Sequence, residues 1–291
     1  MKRADLAAKA AAAASSVIRA YGVTALPVDP IALAKKAGIE VVAKPASSQG
    51  VSGMLIRHGN NFAIGYATHI ESKGFQNFSI AHELGHYFME GHAEAVINSN
   101  GVHESHAGFS SDDRYEMEAD HFASALLMPE SLFRVATGRA GTGLAAIESL
   151  STLCITSLTA TAIRYTQYTD EAAAIVMSSR GRVHYCFMSE AFEELAGTNR
   201  IQKGEQLPPG TSTATLNATP ARIQNAERLN GVTELQDWLG GSHQVELVEE
   251  VVGLGTYGRA LTVLTTREAV DVEALEEDEE ILESWTPRFR R

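Results

Sequence analysis

Cysteine is almost missing from this chain: of 291 residues only Cys154 and Cys186 carry a thiol, far apart and in apolar surroundings. That excludes a cysteine-based metal site and a disulfide framework, and it suits a reducing, cytoplasmic setting. No stretch reaches the roughly 18 uninterrupted apolar residues that a membrane span requires, so no membrane partner is expected. Basic residues are also short: 24 Lys and Arg stand against 36 Asp and Glu, a net charge of -12, which argues against nonspecific affinity for nucleic acid. The deficit is concentrated near the end, where Glu268 to Glu283 hold nine acidic residues and no basic one before "WTPRFRR". This reads as a solvated acidic tail, with docking to a basic partner as the alternative. The opening "MKRADLAAKAAAAASS" has the basic start and alanine run of a secretion signal, but Asp5 and Lys9 interrupt it and alanine is barely hydrophobic. It is read as an alanine-rich helix.

What is present is ordinary globular composition, 44% hydrophobic and 7% aromatic, in a length that suits two domains or three small ones. "VDPIALAKKAGIEVV" predicts a short helix from Pro30, ended by Gly38 and leading into a strand. Two apolar runs around His58-Gly59-Asn60-Asn61 predict a hairpin. Residues 77 to 91 read as a helix with Ala81, Leu84 and Phe88 at helical spacing, residues 92 to 111 as loop, and Asp113 to Met128 as a second helix stopped by Pro129.

The first of these helices contains "HELGH". His82 and His86, four positions apart, lie about 40° apart around a helix axis and about 6 Å along it, close enough to converge on one metal ion. Glu83, rotated by roughly 100°, falls beside such an ion rather than on it, where a carboxylate can take a proton from an attacking water. Two histidines do not complete a site, and the third ligand has several candidates. His92 stands six residues after His86, as in His-Glu-x-x-His-x-x-Gly-x-x-His, but Met89 occupies the position where that pattern turns on a glycine. With Gly91 too late for the turn, the helix is expected to run on and carry His92 away. Glu116, in "DRYEMEADHFASALLMP", is favoured instead: a carboxylate on a second helix with Asp120 one turn later can bind the metal while the second acid orients a ligand histidine. Glu118 points to the opposite side and is expected to be solvated. His103 and His106 stand further back as ligand candidates, and with Tyr115 they are candidates for stabilising the oxyanion.

"FSIAHELGHYF" followed some thirty residues later by "YEMEADHFASALLMP" resembles the ImmA/IrrE family of bacterial zinc metallopeptidases over about residues 10 to 135. The resemblance implies zinc ligands at His82, His86 and Glu116, the catalytic base at Glu83 and a supporting role for Asp120. Manganese would suit the same donors. It also implies a protein substrate, a helix-turn-helix transcriptional repressor cleaved to derepress stress or mobile-element genes.

The rest of the chain is read more coarsely. "LAAIESLSTLCITSLTATAIRYTQY" suggests two short helices around Ile155-Thr156-Ser157, but with only Glu148 and Arg164 charged it lacks the basic residues of a DNA reader. "AAAIVMSSRGRVHYCFMS" predicts two strands about Arg180-Gly181-Arg182 and then a helix through Phe192 and Leu195; "QVELVEEVVGLGTYGRALTVLTT" predicts two more strands. Its formal Gly-x-Gly-x-x-Gly, Gly253 to Gly258, precedes a strand rather than a helix, so a hairpin is expected and not a dinucleotide site. "PPGTSTATLNATPARIQNAERLNGV" is read as a connection of low order. The expected organisation is α+β: a zincin-like peptidase domain over 1–135, a helix-turn-helix-like unit over 136–169 and a C-terminal α/β, GAF-like domain over 170–291. A metal-dependent endopeptidase is the favoured function. A non-catalytic, metal-containing module that binds a repressor or senses a ligand is the alternative, and a direct DNA-binding regulator the third.

Overall fold

The computed structural model describes residues 3–44, 50–106, 113–241 and 245–267; the acidic segment beginning at Glu268 lies outside the described residues. By compactness the chain divides into two units, Met1–Arg139 with Glu148–Arg164, and Ala140–Ile147 with Tyr165–Arg291. The segment 136–169 contributes to both.

The N-terminal unit begins with α1 (Arg3–Ala20), whose alanines cost little side-chain entropy in a helix and whose Ala10, Ala14, Val17 and Ile18 are buried. Helix α2 (Pro30–Lys36) starts where the Asp29 carboxylate accepts from the amides of Ile31 and Ala32 at 2.9 and 3.0 Å, and the chain turns into β1 (Glu40–Lys44) at Gly38, φ +77°. Strands β2 (Val51–His58) and β3 (Asn61–Ala67) form the expected hairpin. The sheet order is β1-β3-β2-β4, with β1 parallel to β3 and the other pairs antiparallel. The edge strand β4 (Val102–His106) and a short helix, α4 (His92–Val96), correct the reading of 92 to 111 as loop. Neither element carries its own hydrophobic period. β4 exists because β2 supplies its hydrogen-bond partners, and α4 because the chain reverses at Gly91.

Across the sheet lies α3 (Lys73–Phe88), capped by Ser72, and across α3 lies α5 (Arg114–Leu127), capped by Asp113. The two helices approach closely because position 85 is glycine: a Cβ there would stand 3.2 Å from the Ala119 Cα. Ile80, Ala81, Leu84, Phe122 and Leu126 fill the contact and are essentially inaccessible. Truncating one of them, as in Leu84→Ala, would cost about 2–5 kcal/mol. Helices α6 (Glu130–Ala140), α7 (Gly143–Cys154) and α8 (Leu158–Thr166) follow; α7 and α8 are bent by 114° about a turn in which Ile155 has φ +52°. Among the described residues no single helix is long and apolar enough to cross a membrane.

The C-terminal unit is a five-stranded antiparallel sheet, order β6-β5-β9-β8-β7, from β5 (Ala173–Ser179), β6 (Arg182–Met188), β7 (Arg228–Glu234), β8 (Glu246–Gly253) and β9 (Ala260–Thr266). β5 and β9 are buried along nearly their whole length instead of alternating, so both faces of the sheet's centre are covered. On one face α9 (Glu190–Ala196) and α12 (Leu235–Leu239) contribute Phe192, Leu195 and Trp238. On the same face, α10 (Ser212–Asn217) and α11 (Pro220–Gln224) contribute Leu216 and Ile223, packed against Val251 and Ala260. These last helices correct the reading of residues 208–232 as a low-order connection. Thr211 caps α10, Pro220 starts α11, and the two buried side chains tie the segment to β8 and β9. The Gly253–Gly258 run closes the hairpin between β8 and β9, as expected.

Candidate metal centre

Helix α3 places the His82 and His86 rings on one side, Nε2 to Nε2 3.1 Å apart. Glu116 on α5 reaches both: its Oε2 is 3.2 Å from His82 Nε2 and its Oε1 3.5 Å from His86 Nε2. A fourth group arrives from β4, His103, whose Nε2 lies 3.2 Å from the same Glu116 Oε1. One donor atom from each of the four lies within 4.8 Å of every other. Around an ion with arms of roughly 2.0–2.2 Å, neighbouring donors of a tetrahedron stand roughly 3.3–3.5 Å apart, so these separations fit a single small divalent ion. Imidazole and carboxylate donors suit zinc or manganese.

The electrostatics suit a bound cation. Burial works against a proton on His82, but the Asp120 and Glu116 carboxylates outweigh it and raise that imidazole to about 10. Burial lowers His86 to about 4. Burial also opposes charge on Glu116, yet His103, His82 and His86 hold its carboxyl well below the usual carboxylate range. A divalent cation among these groups would displace the proton that His82 otherwise holds.

Beside the four donors sits Glu83, with no solvent exposure and with neither carboxylate oxygen in hydrogen-bonding geometry with any group. Burial pushes its carboxyl up from the ordinary value, against the pull of His82 and of the nearby Ser105 hydroxyl. Strand β2 passes directly over it: a Cβ at Gly53 would come within 2.5 Å of Glu83 Oε1, so the strand lies this close only because position 53 is glycine.

Around the donors stand supporting groups. His82 Nδ1 is 2.9 Å from Asp120 Oδ1, the contact expected of a carboxylate one turn beyond Glu116. His92 departs from expectation. Helix α3 does not run on but ends at Phe88, with Met89 extended (φ -83°, ψ 129°) and Gly91 left-handed at φ +79°. That turn brings His92 back beneath His86, Nδ1 to Nδ1 3.4 Å, on the ring side away from the donor cluster. Glu118 departs as well: it is fully buried, not solvated. Its oxygens engage His92 Nε2 at 2.8 Å, Arg114 Nε at 2.8 Å and Lys9 Nζ at 3.0 Å. Burial opposes its charge, but Arg114, His92 and Lys9 prevail and hold its carboxyl down at about 2. The face of α5 that looked free in sequence is covered by α1 and α4. Tyr115 packs edge-on against His92, with ring centroids 5.0 Å apart, and His106 is exposed on β4 outside the cluster.

Residues 34–178 match the family model of the IrrE N-terminal-like domain, peptidase family M78. The chain belongs to the ImmA/IrrE family. Its two motif helices and the donor cluster all lie inside the matched region. Among solved structures, one described as a Mycobacterium tuberculosis transcriptional regulator superposes with a TM-score of 0.54 at 15% identity, over 88% of this chain and 75% of that one, a likeness of fold. No curated protein matches this sequence. Of the groups that sequence reasoning ranked low, His103 joins the donors. The signal available for it was histidine in a polar, aperiodic stretch, and only pairing of that stretch with β2 gives the signal a position.

Proposed function

We propose that this protein is a metal-dependent endopeptidase that cleaves a protein partner, with zinc held by His82, His86 and Glu116 and with Glu83 as general base. One observation carries the reading: a buried carboxylate with no hydrogen-bond partner stands beside donors spaced for a single ion. Burying an ionisable group without a partner costs several kcal/mol, and no structural return for it is visible here. When bound, the metal supplies Lewis acidity, polarising the scissile carbonyl and making a water easier to deprotonate. The chain's own groups do the rest. Glu83 takes a proton from the attacking water as the C–O bond forms and delivers it to the amine nitrogen as the C–N bond breaks. Its raised proton affinity suits a group that must both accept and return a proton. Asp120 holds the His82 ring through Nδ1, and His92 backs His86.

The family resemblance supports a helix-turn-helix repressor as the partner, and the fold neighbour's description as a transcriptional regulator is in keeping with it. Direct DNA binding by α7 and α8 has no comparable support: Arg164, the one basic residue in that segment, is buried and donates to the Met128 carbonyl at 3.0–3.2 Å. The five-stranded unit is read as a GAF-like sensory module, on the strength of its helix-covered antiparallel sheet. The test of the peptidase reading is Glu83→Gln. Incubated with the product of an adjacent helix-turn-helix gene, the zinc-loaded wild type should give a discrete cut by mass spectrometry, and the variant should keep zinc but cut about 10²–10⁴-fold more slowly. Undiminished cleavage by the variant would overturn the assignment. A second reading, a non-catalytic metal module, is favoured by the presence of four protein donors rather than three.

A further inference from the structure

We propose that His103 is a removable fourth ligand: it closes the metal centre in the resting chain, and the peptidase works only when β4 withdraws it. The proposal rests on the metallopeptidase reading above and adds a regulated step to it. Structural zinc sites are closed by four protein ligands, whereas catalytic ones keep a position for water or substrate. Here the donor set is full. His103 Nε2 stands 3.2 Å from Glu116 Oε1, as close as His82 Nε2 does to Oε2, and it lies within the same 4.8 Å of the other three donors.

Closure extends to Glu83. A base that is to receive a proton from water needs a water beside it, yet both its oxygens are sealed and unpartnered, and β2 crosses at Gly53 with no room for a Cβ. Space for substrate must be made, and the element built to make it is β4. Three of the four donors ride on α3 and α5, helices locked together through Gly85 and Ala119. The fourth rides on a five-residue edge strand that, among the described residues, pairs only with β2, across a register shift between Val51 and Gly53. His103 also has somewhere to go: Ser105 Oγ, on the same strand, already lies 3.2 Å from its Nε2 and can keep that nitrogen paired after it leaves. The exchange moves no electrons between atoms of different oxidation state. The Nε2 lone pair leaves the ion, and an oxygen lone pair from water or from the scissile carbonyl takes the position.

The decisive measurement is the ligand count by zinc X-ray absorption on the full-length protein, with acetohydroxamate, a small chelator that needs an open position, as a second probe. Wild type should show three imidazoles per zinc and His103→Ala two plus an additional oxygen. If the open form is a tenth of the population or less, acetohydroxamate should bind His103→Ala about tenfold or more tighter than wild type. Two imidazoles and an oxygen in wild type would overturn the latch, and this count stands even if His103→Ala does not fold. Equal acetohydroxamate affinity of the two proteins would overturn it as well. Failure of the peptidase reading looks different: cleavage that Glu83→Gln leaves intact removes that reading whatever the ligand count.

Discussion

Among the described residues three glutamates have no solvent exposure, and the fold treats one of them differently from the other two. In the C-terminal unit Glu249, on β8, accepts from the backbone amides of Ser212 and Thr213, both at 2.8 Å, where α10 begins. The carboxylate satisfies two donors that a helix start leaves without partners, so its burial is repaid in structure. In the N-terminal unit Glu118 is likewise surrounded, by His92, Arg114 and Lys9. Glu83, one helix away, has no hydrogen-bond partner. Of these three buried acids, two have hydrogen-bond partners supplied by the fold and one has none. In the metallopeptidase reading proposed above, the difference means that the α3–β2 contact is held for chemistry at the expense of local stability.

The contrast can be broken most directly at Glu83. Glu83→Gln should cost about 10²–10⁴-fold in cleavage while leaving the thermal midpoint unchanged or higher, because an unpaired buried acid is being replaced by a neutral amide. A clear fall in the midpoint would mean that Glu83 is as structural as the other two. Next in size, Glu118→Ala strips His92 of its partner. Denaturant unfolding should show a loss of about 2–3 kcal/mol, as for a buried charge-assisted hydrogen bond. Competition with a chromophoric chelator should show about tenfold weaker zinc binding through the loosened His92–His86 contact. If affinity is unmoved, His92 does not position His86. Glu249→Ala should cost about 1–2 kcal/mol by orphaning two amides of α10, with zinc affinity untouched. Smallest in stability is Asp120→Ala: its carboxylate is 30% exposed, so unfolding should shift by no more than about 0.5 kcal/mol. Zinc affinity should nevertheless fall about tenfold as His82 loses its Nδ1 partner.

How much of this could be read before the fold depends on the range of the cause. The helix starts at Pro30 and beside Asp113, the hairpin turn after His58, the strand pairs around Gly181 and Gly258 and the Glu116/Asp120 face of α5 are set by neighbours within a few residues, and each stands where its local signal put it. The misplaced elements are those stabilised from far away. β4 depends on β2, some fifty residues earlier, and α10 and α11 depend on Leu216 and Ile223 packing against β8 and β9. Glu118 was misjudged because α5 considered alone has an outer face, while in the fold Lys9 of α1 and His92 of α4 close over it.

By itself, then, the sequence determined which donors could meet along a helix. Helical spacing is a property of the backbone, and His82, His86 and the Glu116/Asp120 pair need only that. It also determined the family, because two motifs recur in order. Tertiary structure alone decided how many donors meet, whether the centre is open and which acids lose their water. Those depend on which strand lies beside which helix and on what covers each face. His103 becomes a donor, Gly53 seals Glu83 and Lys9 covers Glu118 through contacts that link positions 13, 30 and 109 residues apart. No local period encodes separations of that kind.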